Sequence, residues 1–266
     1  MDHLNLSSSL ELSGCSRLWI DGGSNLGGGV DDFFKGSFFH CAIRSPARLY
    51  GRPWHNASQR TKNAWMQPLA EPHRWCVRSF EANPRLMPML KAKEAEHRAK
   101  GRNVRFIAGM LSTVTGAAVA RTVYTYSKAD GGSGASRFAF DRVHSGKPAA
   151  RSSEVVHGAA FDIRDVVQHM IALNGKGVLS GGGIGLRLDV EGEELFIQEA
   201  LSAGGKQSLL CNGLAYMFTE HHNLHVNLSH YGLPERGYNV IGDHIHSLMN
   251  APSCTLKINW VCCCCF

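Results

Sequence analysis

The sequence predicts an α/β protein with a mostly parallel sheet and helices on both faces. Three observations support this. Short apolar runs of strand character alternate with segments of helical composition. A glycine-rich turn directly follows the first of those runs. Two later runs end in acidic residues, at the strand ends where a parallel sheet opens its ligand crevice.

The elements follow in order. Residues 17–21, RLWID, form a short buried strand, and Val30 to Phe39 is apolar and helical. Residues 40–74 break the pattern with Pro46, Pro53, Pro68 and Pro72, and read as an insertion or lid. WCVRSFE (75–81) is a second strand; Asn83-Pro84 opens a turn, and Leu86 to Lys100 is helical. Residues 103–108 and 118–126 are strand-like, and Gly131 to Ser136 is a loop. Phe161 to Leu173 places Ile163, Val166, Val167, Met170 and Ile171 at helical spacing. IGLRLDV (184–190) is a strand, Glu193 to Leu201 a short helix, and LAYMFTE (214–220) another strand. A helix over 240–250 and a strand over 254–261 complete a single domain spanning 1–266.

Composition narrows the class. With 266 residues, 44% apolar and 19% charged, the chain has the make-up of an ordinary globular protein. A net charge of +6 is mild and spread out; the basic stretch Lys91 to Arg105 is interleaved with Glu94 and Glu96 and reads as a solvated helix face, so no nucleic-acid partner is expected. No apolar run reaches the length of a transmembrane helix. Cys15, Cys41, Cys76, Cys211 and Cys254 are scattered, which suits reduced thiols and favours the cytoplasm.

Chemistry concentrates in three places. DGGSNLGG follows the first strand, with Asp21 at its end and Gly22, Gly23 and Gly27 in the turn. Such a turn brings backbone close to a ligand and aims helix N–H groups at it. It fails the dinucleotide fingerprint, because Asn25 stands two residues after Gly23, and no P-loop occurs. Glu81 ends the second strand, 60 positions after Asp21, and a carboxylate there can accept two ribose hydroxyls. LRLDVEGEE gathers Asp189, Glu191, Glu193 and Glu194 where a strand meets a helix. Capping explains some of these acids, but Asp189 falls at the strand end and faces the same crevice as Asp21. The histidines His221, His222, His225 and His230, and His244 and His246 beside Asp243, lack a metal-binding pattern and read as loop or surface residues, so no metal site is expected.

Together, WIDGGSNLGG, SFEANP and LRLDVEGEE resemble the FkbM-type methyltransferase family, whose pattern runs D-x-G-A-N-x-G, F-E-P-N-P and K-I-D-V-E-G-x-E. Asp21, Gly23, Asn25 and Gly27 match the first motif, with Ser24 in place of Ala. Phe80, Glu81, Asn83 and Pro84 match the second, with Ala82 in place of Pro. Asp189, Glu191, Gly192 and Glu194 match the third, with Arg187 where Lys is usual. FDIRDVV and MFTEHH resemble further family segments, so the likeness runs from about residue 17 to 230.

The resemblance implies a Rossmann-like class I sheet and methyl transfer from S-adenosylmethionine, usually to oxygen. It implies that Asp21, Gly22, Gly23, Ser24, Asn25 and Gly27 line the amino-acid end of the cofactor, that Glu81 holds the ribose, and that Asp189 sits near the reacting methyl. An oxygen acceptor must lose a proton, and Asp189, Glu220 and His222 are the candidate bases. The acceptor class stays open among small molecules, sugars, lipids and proteins. The ending INWVCCCCF departs from the family; Cys263 to Phe266 formally fits a prenylation box, although cysteines occupy its aliphatic positions. Two other readings stand beside this one: a catalytically silent cofactor-binding protein on the same fold, and a metal-dependent hydrolase built on the acids of 189–194 and nearby histidines.

Overall fold

The computed structural model describes residues 15–35, 71–113, 119–125, 135–136, 143–144, 147–148, 154–181, 184–190, 193–220, 237–256 and 258–262. Most of the 40–74 insertion, the four terminal residues with Cys263, and His222 lie outside them, as do Glu191 and Gly192.

Six strands form the main sheet: β1 (Arg17–Gly22), β2 (Trp75–Glu81), β3 (Asn103–Ala108), β7 (Ile184–Leu188), β8 (Leu214–Glu220) and β9 (Ile258–Cys262). Their spatial order is β9-β8-β7-β1-β2-β3, and all five pairings are parallel. The expected α/β architecture is therefore present. Chain order runs outward one way from β1 to β3 and the other way from β7 to β9. The direction of winding thus reverses between β1 and β7, the position outside whose carboxyl strand ends parallel α/β sheets generally bind their ligands.

Alternation along β1 assigns the helices to faces. Leu18 and Ile20 point into one apolar cluster with Ile163, Val166, Val167 and Met170 of α3 (Ile163–Gly181), Ile197 and Leu201 of α4 (Glu194–Ser202), Leu210 of α5 (Leu209–Gly213), and Ile245 of α6 (Gly237–Met249). Trp19, between them, points into the other cluster with Val30 and Phe33 of α1 (Gly28–Lys35) and Leu90 of α2 (Met87–Ala99). Every described residue of β2 and β7 is buried, as a central parallel strand covered on two faces requires.

The stretch Lys91 to Arg105 is only partly a solvated face. Lys93 Nζ donates to Asp31 of α1 at 2.6 Å. Glu94 accepts from the Phe106 amide at 2.9 Å, and His97 is 3% exposed. The polar side of α2 thus docks against α1 and β3, and the charges that look solvated in one dimension tie elements together.

A second sheet is not evident from the sequence. β4 (Met110–Ser112) pairs parallel with β6 (Glu154–Asp162), and β6 pairs antiparallel with β5 (Val119–Thr125), which also contacts the short strand Ala135–Ser136. Within the segment expected as a strand, Val119–Thr125 is one, but it belongs to this smaller sheet.

The cysteine expectation is overturned. Cys15 bonds to Cys76 and Cys211 to Cys254, with Cα separations of 5.6 and 4.3 Å. Four of the five scattered cysteines are therefore disulfides, brought together by strand pairing and helix packing across sequence separations of 61 and 43. Among the described residues no helix is long and apolar enough to cross a membrane.

Candidate functional site

The site is built from a row of side chains across three neighbouring strands. In the β1–β2 register Asp21 pairs with Ser79, and in the β1–β7 register it pairs with Arg187. Paired residues of parallel strands project to the same face, so the three side chains meet beneath α1. Ser79 Oγ donates to Asp21 Oδ2 at 2.5 Å and lies 2.6 Å from Ser24 Oγ of the turn. Arg187 Nη1 donates to Asp21 Oδ1 at 2.9 Å and to the Gly23 carbonyl at 3.2 Å. Its other amine, Nη2, donates to Asp189 Oδ2 at 2.5 Å. Arg187 therefore clamps the glycine turn to the end of β7.

Asp21 is fully buried. Burial pushes its carboxyl above the usual carboxylate range, and the Arg187 guanidinium and the Ser79 hydroxyl pull it back down. Asp21 thus holds the turn from beneath. Asp189 is the more open acid of the pair, with 19% of its side chain exposed.

Two glycines make this packing possible. Gly23 has φ +91°, and a Cβ there would fall 1.7 Å from the Asp189 carbonyl oxygen. A Cβ at Gly29, in the first turn of α1, would fall 2.8 Å from Arg187 Nη1 and 3.0 Å from Asp21 Oδ1. Backbone at these positions lies directly on the ion pair.

Glu81 closes the other side of the turn. Its two oxygens accept the backbone amides of Asn25 and Asn83, each at 2.7 Å. Asn25 adopts φ +49°, a left-handed conformation that asparagine tolerates. Burial pushes the Glu81 carboxyl up to about 8, against the pull of those two amides, and Asp21 and Asp189 push it further up. The three acids expected from the sequence therefore share one electrostatic environment at the ends of β1, β2 and β7.

The remaining acids of the third motif have other partners. Glu193 and Glu194 are completely buried. Ser112 Oγ of β4 donates to Glu193 at 3.0 Å, and Glu194 accepts the Val190 amide at 3.1 Å. They brace the loop after β7 and do not assemble with Asp189. Among the described residues, no group of three or more His, Cys, Asp or Glu could hold a metal ion. Glu220 is the last residue of β8, and its side chain lies outside the described residues, as does the whole of His222.

No family model, curated protein or solved structure matches this chain.

Sequence reasoning missed Ser79 and the role of Arg187. Ser79 alternates with Val77 and Glu81 on one face of β2, and that alternation is the signal that could have found it. Arg187 stands two residues before Asp189 in the same strand, so it shares a face with that acid. What no local pattern gives is the register that sets both opposite Asp21.

Proposed function

We propose that the protein is an S-adenosylmethionine-dependent methyltransferase acting on an oxygen acceptor, on a Rossmann-like sheet. One observation carries this: Asp21, Glu81 and Asp189, from three motifs far apart in sequence, meet around one glycine turn at the point where the winding of the sheet reverses. The resemblance of those motifs to the FkbM-type pattern gives the meeting its chemical reading.

The residues fit the cofactor. Arg187 is shared by Asp21 and Asp189, which leaves Glu81, held by the Asn25 and Asn83 amides, as the acid beside them with no cation of its own among the described residues. A Cβ at Gly28 would meet nothing within 4 Å, so the helix start beside the turn has room for a ligand. Each Glu81 oxygen spends one lone pair on a backbone amide and keeps another for a ribose hydroxyl. When bound, S-adenosylmethionine supplies an already activated methyl group, so the protein's part is alignment and exclusion of water. Asp21 and Ser79 are positioning residues in this reading. Arg187 orients Asp189, which accepts the acceptor hydroxyl's proton as the oxygen attacks.

Calorimetry tests this directly. Purified protein should bind S-adenosylmethionine and its demethylated product, and Glu81→Ala should lose both. A well-folded wild-type protein that binds neither overturns the proposal. If it binds but transfers no radiolabelled methyl to any fraction of a cell extract, the silent-binder reading takes its place.

A further inference from the structure

Both disulfides lie at the end of the sheet opposite the candidate site. Cys15 immediately precedes β1, and Cys76 is the second residue of β2. Cys211 lies in α5, just ahead of β8, and Cys254 lies in the segment leading into β9. All four stand near the amino ends of parallel strands, whereas Asp21, Glu81 and Asp189 stand at the carboxyl ends. A strand of β1's length puts roughly 20 Å between the two ends.

The surrounding backbone holds each pair in place independently of the bond. Ser16 N–H donates to the Arg74 carbonyl at 3.1 Å, extending the β1–β2 ladder to the residue beside Cys15. Thr255 donates to the Cys211 carbonyl through its amide at 2.7 Å and through its hydroxyl at 2.6 Å. Cys76, Cys211 and Cys254 are at most 2% exposed, and Cys15 is half-buried against the apolar core. A buried bridge remote from the reacting groups has the position of a staple. Redox-active bridges instead need access for an attacking thiolate. One staple ties β1 to β2 and the other ties α5 to the approach of β9, so each half of the sheet has its own.

We propose that this chain folds and works in an oxidising compartment, with Cys15–Cys76 and Cys211–Cys254 as permanent structural disulfides. In a reducing compartment the glutathione and thioredoxin systems hold such pairs as thiols. Each bridge forms when two thiols surrender two protons and two electrons to the disulfide of an oxidised dithiol partner, which leaves as a dithiol. The inference rests on the cysteines alone and does not depend on the methyltransferase reading.

Thiol trapping in the source cells tests it. Cells are acid-quenched and treated with N-ethylmaleimide under denaturing conditions, and the full-length protein is digested without reductant for mass spectrometry. The expected result is two linked peptide pairs, Cys15 with Cys76 and Cys211 with Cys254, and no maleimide on these four residues. Maleimide on either pair, or linkage to other cysteines, overturns the proposal. A second measurement uses the paired variants Cys15→Ser/Cys76→Ser and Cys211→Ser/Cys254→Ser. Each should lower Tm by about 5 °C or more, or abolish folding; an unchanged Tm in either variant overturns the structural role.

Discussion

Arg187 reaches across one strand boundary to place its guanidinium 2.9 Å from the carboxylate of Asp21, a residue with no exposed surface. That pair links β7 to the glycine turn, and through its second amine it also holds Asp189. Removing one member leaves the other charge buried and uncompensated, which typically costs 3–5 kcal/mol, about as much as many domains have to spare.

Arg187→Met should therefore lower unfolding stability by about 3 kcal/mol or more in urea titrations. Arg187→Lys should fall between the two, because a single ammonium cannot serve Asp21 and Asp189 as a planar fork does. If Met and Arg are equally stable, the clamp does not hold the turn.

Gly29→Ala isolates the same contact from the helix side. In a helix, Ala is ordinarily favoured over Gly by roughly 0.5–1 kcal/mol. Here the added Cβ would lie 2.8 Å from Arg187 Nη1, so the sign should reverse to a loss of about 1–3 kcal/mol. Gly23→Ala should be worse, since it combines φ +91° with a Cβ 1.7 Å from a backbone oxygen. Thermal unfolding of the two variants should rank Gly23→Ala below Gly29→Ala, and Gly29→Ala below wild type.

Glu81 gives the protein a pH signature. Its carboxyl rises from 4.5 to about 8 on folding because it is buried. Between those values the folded protein holds a proton that the unfolded chain has released. Stability from this group is complete below about 4.5 and is lost as pH rises through about 8, with a slope of at most about 1.4 kcal/mol per pH unit. The raised Asp21 carboxyl acts in the same direction. Denaturant midpoints measured from pH 5 to 9 should fall with pH, and Glu81→Gln should flatten the fall; identical slopes would show that Glu81 does not titrate in that window.

The two disulfides close loops of similar length, with separations of 61 and 43, so each should contribute roughly 2–4 kcal/mol. Reduction in denaturant followed by alkylation should lower the refolded protein's urea midpoint relative to the oxidised form. A coincident midpoint would mean that the bridges add no stability.

Much of the main sheet was legible in the sequence. WCVRSFE and LAYMFTE coincide with β2 and β8, and 103–108 with β3. Buried parallel strands are short apolar runs with sharp ends, and these runs were flanked by a proline-rich stretch, glycine or acidic residues. The strand Glu154–Asp162 was not read, because His157 and Gly158 interrupt its apolar pattern and its partners lie far away in the chain. At the site, Asp21, Glu81 and Asp189 were legible as strand-end acids, while Glu193 and Glu194 looked equivalent to Asp189 until folding turned them toward Ser112 and Val190.

By itself the sequence determined most strands of the main sheet and which three motifs sit at strand ends, because those properties follow from local composition and spacing. The tertiary structure alone decided that Ser79, Asp21 and Arg187 form one row, and that Cys15 meets Cys76 and Cys211 meets Cys254. Such partnerships depend on strand order, register and helix docking. These are set by burying two apolar faces at once, and no single segment encodes that.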